Sequence, residues 1–381
     1  MVCVPAHKNG KMHKLETQVW GWTDTILVKI LKINWGLDFL WSKIYDKGMV
    51  KERQGKCVMI LYHNPLRVLA CTGTQNRIKE QSMLYYIGID LGTSAVKLLL
   101  MEGNGKIVRV TSREYPLYFP HPGWSQQNPE DWYKQSMDGL CELLDGIDKS
   151  QVAGISFGGQ MHGLVVLDEN DQVIRPAILW NDGRTFREND YLNQVIGKEK
   201  LSEYTANISF TGFTAPKILW MKNNEPENFA RIKKIMLPKD YLAYRLTGVH
   251  CTDVSDASGM LLFDVKNRCW SEEMCEICGV HKEQLAKVYE SYETVGTLLP
   301  EIAQNLGLPE TVKVAAGAGD NAAAAVGTGT VGNGQCNISL GTSGTIFISS
   351  DQFAVDKNNA LHAFAHADGH YHLMGLSLIH I

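Results

Sequence analysis

One short phrase occurs twice in this chain, in matching settings. Ile89-Asp-Leu-Gly-Thr-Ser lies between the apolar runs Tyr86–Ile89 and Val96–Leu100, and Ser339-Leu-Gly-Thr-Ser-Gly lies between Gln335–Leu340 and Thr345–Ile348. Each copy reads as strand, glycine turn, strand. The same device used twice predicts two related domains facing each other. The chemistry of the turn is equally suggestive. Glycine lets the backbone approach an anion closely, and consecutive N–H groups form an anion-binding nest. Two such turns, Gly92-Thr93-Ser94 with Lys97 behind it and Gly341-Thr342-Ser343, would grip a polyphosphate from both sides. Asp90, ending the first strand, is placed to hold a metal ion against that phosphate, directly or through water.

From Leu84 onward the pattern is that of an α/β domain. Strands are predicted at Tyr86–Asp90, Ala95–Met101 and Ile107–Arg113, with Gly103-Asn-Gly as a hairpin signal. Pro129-Glu-Asp-Trp opens a helix through Leu144 with Asn128 as N-cap, and Val152–Phe157 is a further strand ending in Gly158-Gly159. Residues 1–82 differ. They carry 13 Lys and Arg against 6 Asp and Glu, whereas the rest carries 24 against 35. They show no motif, and Met83 reads as the natural start, so 1–82 is set aside as an extension that is disordered or mispredicted upstream sequence. Residues 83–311 are expected to form the first domain, and 312–381 the beginning of a second, incomplete one.

Composition narrows the options. A net charge of −4 argues against a nucleic-acid partner. The most apolar early stretch, Ile26 to Ile44, is interrupted by Lys29, Lys32, Asp38 and Lys43, so no membrane span is expected. Nine scattered cysteines without framework spacing fit free thiols in a reducing, cytoplasmic setting. Cys275 and Cys278 lack a second ligand pair for zinc and read as one face of a helix beginning near Ser271.

Further candidate groups follow. Gly317-Ala-Gly-Asp-Asn-Ala-Ala opens a small-residue helix, whose N-terminus suits phosphate, with Gly319 in the loop and Asp320 able to help orient the metal. Phosphoryl transfer to an alcohol needs a base, and Asp256 in Thr252-Asp-Val-Ser-Asp-Ala-Ser-Gly is the candidate, an N-cap or turn being the alternative. Gln160-Met161-His162-Gly and Trp180-Asn181-Asp182-Gly-Arg follow strands, where α/β binding loops collect.

In sequence, residues 84–375 resemble the FGGY carbohydrate kinases, nearest the branch acting on xylulose. The resemblance rests on Tyr86-Ile-Gly-Ile-Asp-Leu-Gly-Thr-Ser, Gly159-Gln-Met-His-Gly, Ala177-Ile-Leu-Trp-Asn-Asp-Gly-Arg, Gly212-Phe-Thr-Ala-Pro-Lys-Ile-Leu-Trp, Leu237-Pro-Lys-Asp-Tyr-Leu, Ser255-Asp-Ala-Ser-Gly, Gly319-Asp-Asn-Ala-Ala and Ser339-Leu-Gly-Thr-Ser-Gly, in order. It implies an actin-like ATPase fold of two RNase-H-like domains around a cleft, with the second incomplete and the adenine pocket missing. It further implies ATP and Mg2+, a ketose held by Met161 and His162 with Asn181 and Asp182 nearby, Asp256 as general base, and Asp90 tied to metal and phosphates. The expected product is D-xylulose 5-phosphate. Ribulose, glycerol or gluconate as substrate, an inactive sugar-binding fragment, and homodimer formation stay open.

Overall fold

The computed structural model describes residues 84–340 and 344–376. The expectations placed on residues 1–82 and on Gly341, Thr342 and Ser343 therefore lie outside the described residues.

Three successive β-rich segments form an antiparallel meander: β1 Tyr85–Leu91, β2 Ala95–Glu102 and β3 Ile107–Glu114. Ile87, Ile89, Leu91, Leu98 and Leu100 are fully buried, which their apolar runs require. β3 is the edge of the sheet and is largely exposed, in keeping with its Arg and Glu content. The helix Pro129–Leu143 packs on β2 and β3, burying Trp132, Leu140 and Leu143. Asn128 caps it, its side chain accepting from Glu130 N at 3.3 Å, and Pro129 occupies the first turn, where its missing N–H costs nothing.

On the other side of β1 the sheet turns parallel. Val152–Gly159 runs alongside β1, then Lys313–Ala315 parallel to it, then Thr294–Thr297 antiparallel at the far edge. Ala318–Gly319 also pairs with the end of Val152–Gly159. These last pairings run past residue 312, where the second domain was expected to begin. The sheet of the first domain continues through Gly319, because Lys313–Ala315 fills a slot beside a strand more than 150 positions earlier. Local sequence carries no signal for a pairing of that range.

A second sheet follows, entirely antiparallel, in the order Cys336–Leu340, Gly344–Ser350, Tyr371–Leu376, His362–Ala365. The strand pair flanking residues 341–343 is thus present as the repeated phrase predicted. Phe347, Phe364 and Met374 of this sheet share a buried cluster with Met161, Phe213 and Leu261 of the first part. Cys275 and Cys278 lie on the helix Glu272–Cys278, capped by Ser271 Oγ, and among the described residues no cluster of metal-ligating side chains occurs. No helix among the described residues is long and apolar enough to cross a membrane.

Candidate active site

The parallel strands end together. At their carboxyl ends Asp90 lies opposite Gly158, and Gly319 lies opposite Gly159 on the other flank. Asp90 and Asp320 therefore stand on either side of the glycine pair, at the edge where α/β folds place their sites. The glycines make this approach feasible. A Cβ on Gly158 would sit 3.4 Å from Ala323 Cβ and 3.9 Å from Asp90 Oδ1, so the helix Asp320–Thr328 packs directly over it. Asp90 is half-buried, and Lys97 is its cross-strand partner. Burial raises the Asp90 carboxyl above its usual range and Lys97 opposes the rise. Asp320 keeps water access at the start of the helix Asp320–Thr328. The protein packed around it, with the charge of Asp90, pushes its carboxyl up to about 7.

The Gly92–Ser94 turn is held by its carbonyls. Gly92 O accepts from the Tyr115 hydroxyl and from Gln160 Nε2 at 3.3 Å, and Thr93 O accepts from Gln127 Nε2 at 2.7 Å. Gln127 is itself fixed by Trp132 Nε1 at 3.0 Å. In a trans peptide the N–H points opposite to the C=O. Tethering these two carbonyls thus turns the N–H groups of Thr93 and Ser94 away from the tethers, and neither has a partner among the described residues. Trp180 Nε1 donates to Thr93 Oγ1 at 3.0 Å, joining the Trp-Asn-Asp loop to the turn.

His162 adopts a left-handed backbone, φ 68°, unusual for a non-glycine residue. Three contacts hold it there. Its carbonyl accepts from Lys217 Nζ at 2.8 Å and Thr214 Oγ1 at 3.1 Å, and its ring Nδ1 lies 2.7 Å from Gly259 O. Nδ1 thus carries the proton, leaving Nε2 as the acceptor. The ring stacks on Phe213 with centroids 4.8 Å apart. Burial, then the neighbouring Lys217, lowers its pKa to about 3. A Cβ on Gly259 would come within 2.4 Å of the His162 ring, and one on Gly319 within 2.9 Å of Met161. The Met161-His162 loop is thereby brought against both the Asp256 segment and the start of the helix Asp320–Thr328.

Lys217 is fully buried and donates only to carbonyls, His162 O and Gly212 O at 2.7 Å. Burial holds its amine well below the ordinary lysine range. Lys239 is equally buried but faces carboxylates: Asp240 at 2.7 Å, Asp253 at 2.9 Å and Asp256 at 3.6 Å. Asp256 is fully buried, and neither of its carboxyl oxygens has a hydrogen-bond partner among the described residues. Burial raises its proton affinity well above the usual carboxylate range; Lys239 opposes, while Asp240, Asp253 and Asp320 add to the rise.

The structure thus gathers Asp90, Gly92, Thr93, Ser94, Lys97, Gly319 and Asp320 at one edge, with Met161, His162 and Asp256 packed next to them. Asn181 is exposed on the loop that Trp180 anchors. Asp182 departs from its expected role as a sugar ligand. Its Oδ1 accepts from Arg184 N and Nε, its Oδ2 from Ser125 N and Arg184 Nη2, and it is buried. All four acceptor positions of the carboxylate are taken, so Asp182 braces its loop. Lys217, Lys239, Asp253, Gln127 and Tyr115 carried no assigned role in the sequence. Lys217 and Lys239 do stand within recognisable phrases, which is the signal that could have flagged them.

Residues 85–327 match the profile of the FGGY family of carbohydrate kinases, N-terminal domain. The xylulose kinase of Escherichia coli (strain K12) is 44% identical over 294 residues, 77% of this chain and 60% of that protein. Among solved structures, a "xyloylose kinase" from Brucella ovis superposes with a TM-score of 0.74 at 42% identity, and a gluconate kinase from Lactobacillus acidophilus with 0.74 at 28%. Each match covers 77% of this chain and 60% of the other. The chain spans about 60% of the length of the curated relative it matches. Its fold is the α/β fold of those kinases, of actin-like ATPase type. With the profile covering well over half of its residues, the chain belongs to the FGGY family of carbohydrate kinases.

Proposed function

We propose that this chain carries the sugar-binding and part of the phosphate-binding machinery of a kinase that moves the γ-phosphoryl of ATP to O5 of D-xylulose. The observation that carries the reading is Asp256: a fully buried carboxyl whose oxygens have no hydrogen-bond partner among the described residues, with Lys239 Nζ 3.6 Å away, on a segment tied to Gly319 through Ser255. A buried polar group left without a partner is costly, and a substrate hydroxyl is the missing partner. In the reaction O5 attacks the γ-phosphorus, the O5–P bond forms as the bond to the β-phosphate oxygen breaks, the hydroxyl proton passes to Asp256, and ADP leaves. The raised proton affinity of Asp256 makes it a stronger base than an exposed aspartate. Met161 and the acceptor Nε2 of His162 would orient the ketose, with Asn181 reaching in from the neighbouring loop. The N–H groups of Thr93 and Ser94 would receive phosphate oxygens, with Lys97 adding charge.

Asp90 and Asp320 suit a Mg2+ ion. Two carboxyl groups stand on either side of Gly158–Gly159, burial raising the proton affinity of both and the charge of Asp90 adding to that of Asp320, and a cation between them would relieve that cost. Magnesium takes one or two carboxylates and completes its shell with water and phosphate. Bound there, it would neutralise charge on the phosphates.

The test is ADP release with D-xylulose, D-ribulose, D-gluconate and glycerol in parallel. Turnover on xylulose above all others is expected; the reverse order would move the assignment to another polyol, a reading favoured by the equally good superposition of the gluconate kinase. Asp256→Ala is expected to lower kcat about 100-fold or more with sugar binding little changed, the usual scale for a general base. Near-normal kcat in that variant would return Asp256 to a helix-start role.

A further inference from the structure

Asp253 lies three residues before Asp256, is fully buried, and collects more donors than any role in its own turn requires. Its Oδ2 accepts from Ser255 N at 2.9 Å, Ser255 Oγ at 2.5 Å and Ser291 Oγ at 2.6 Å. Its Oδ1 meets Lys239 Nζ at 2.9 Å. Ser255 Oγ, its proton given to Asp253, accepts from Gly319 N at 3.1 Å. One carboxylate thereby ties together the helix Val254–Ala257 that bears Asp256, the helix Pro238–Thr247 through Lys239, the loop of Ser291, and the start of the helix Asp320–Thr328. A simple helix cap explains the first of these bonds and none of the others.

We propose that Asp253 is a positioning residue, which fixes the Asp256 carboxyl relative to the Gly319–Asp320 end of the phosphate-side helix through the bridge Asp253–Ser255–Gly319. The use of that geometry in catalysis rests on the kinase reading above; the bridge itself does not. Asparagine cannot replace the aspartate. It has one acceptor oxygen for two crowded faces, and its NH2 must meet either the three donors around Oδ2 or the ammonium of Lys239. Substitution also changes the charge around the base. Asp256 is faced by Lys239 and Asp240 from one helix, Asp253 from its own segment and Asp320 from another. Without the Asp253 charge, fewer carboxylates compete for Lys239, and Asp256 holds its proton less tightly.

The experiment compares Asp253→Asn and Ser255→Ala with the unaltered chain. Hydrogen–deuterium exchange across Gly319–Asn321 is expected to quicken about fivefold or more in both variants, the consequence of losing about one hydrogen bond. In turnover, Asp253→Asn is expected to lose about 100-fold in kcat, the scale of a small misplacement of a reacting group, with KM for xylulose within about twofold. Its kcat/KM profile should keep activity to lower pH, because the base stays ionised further into acid. A purely structural role would lower kcat without moving that acid limb. Unchanged exchange at Gly319 in both variants overturns the proposal, as does a lowered kcat with an unmoved acid limb in Asp253→Asn. If Asp253→Asn does not fold, Ser255→Ala, which removes only the bridge, decides through exchange alone. An unaltered chain without xylulose-dependent ADP release overturns the kinase reading, and the exchange result still decides whether Asp253 holds Gly319.

Discussion

Two lysines in this molecule are equally buried and chemically opposite. Lys217 donates to the carbonyls of His162 and Gly212, while Lys239 sits among Asp240, Asp253 and Asp256. Burial favours loss of the proton in both. Around Lys217 it prevails, and the amine is driven well below its ordinary range, though Asp182 pulls the other way. Around Lys239 the carboxylates outweigh it, and the ammonium is held well above. The difference shows that partners decide the charge of a buried lysine. The surroundings of Lys217 are neutral and aromatic, with His162 stacked on Phe213. The surroundings of Lys239 are an ionic cluster carrying one cation for three carboxyl groups.

The sharpest way to break this contrast is to delete each cation. Lys239→Met strands Asp240 and Asp253 without their counter-charge, and a loss of about 3–5 kcal/mol in unfolding free energy is expected. Lys217→Met leaves two carbonyls without a donor but removes an amine whose neutral form is itself unfavourable. Those effects oppose, and a loss of about 1–2 kcal/mol is expected. Urea unfolding of both variants measures the pair. Equal losses would mean that Lys217 is charged in the folded state.

Acid sharpens the comparison on the neutral side. His162 is lowered to about 3 and His362 to about 4, in both cases first by burial. Folded, these rings refuse a proton that the unfolded chain accepts below its ordinary value near 6.5. Stability is therefore intact above that value and falls as pH drops towards 4. By pH 5 each ring contributes a loss of about 2 kcal/mol. His362→Gln should flatten this dependence by one ring's share in thermal melts between pH 7 and 5; an unchanged slope would show that water already reaches His362.

The smallest effect concerns a site remote from both lysines. Asn128→Ala removes the side-chain acceptor at the start of Pro129–Leu143 and is expected to cost about 1 kcal/mol, with no change in sugar binding. Any change in binding would connect this helix to the cleft through Trp132 and Gln127.

What the sequence disclosed followed from how local each signal was. β1, β2 and β3 were legible because each carries its own apolar run and turn, and Asn128 because capping is a contact within three residues. Asp90, Met161, His162 and Asp256 were singled out through motifs, and the side chains that hold them in place were not. The bond from Lys217 to His162 spans 55 positions and that from Gly319 to Ser255 spans 64, and no periodicity reports such a meeting. Asp182 shows the reverse failure. A carboxylate in a binding loop looks available in sequence, and only the arrangement of Arg184 and Ser125 reveals it as fully engaged. The pairing of Lys313–Ala315 was hidden for the same reason: it is a three-residue strand whose partner strand begins at Val152.

The continuity of the first sheet through Gly319 has a geometric consequence. Gly319 pairs with Gly159 and Ala323 rests over Gly158, so the helix Asp320–Thr328 starts from the same sheet that carries Asp90. The spacing of Asp90 and Asp320 is thereby set by the register of neighbouring strands within one sheet, as the spacing of two teeth is set by the comb that bears both.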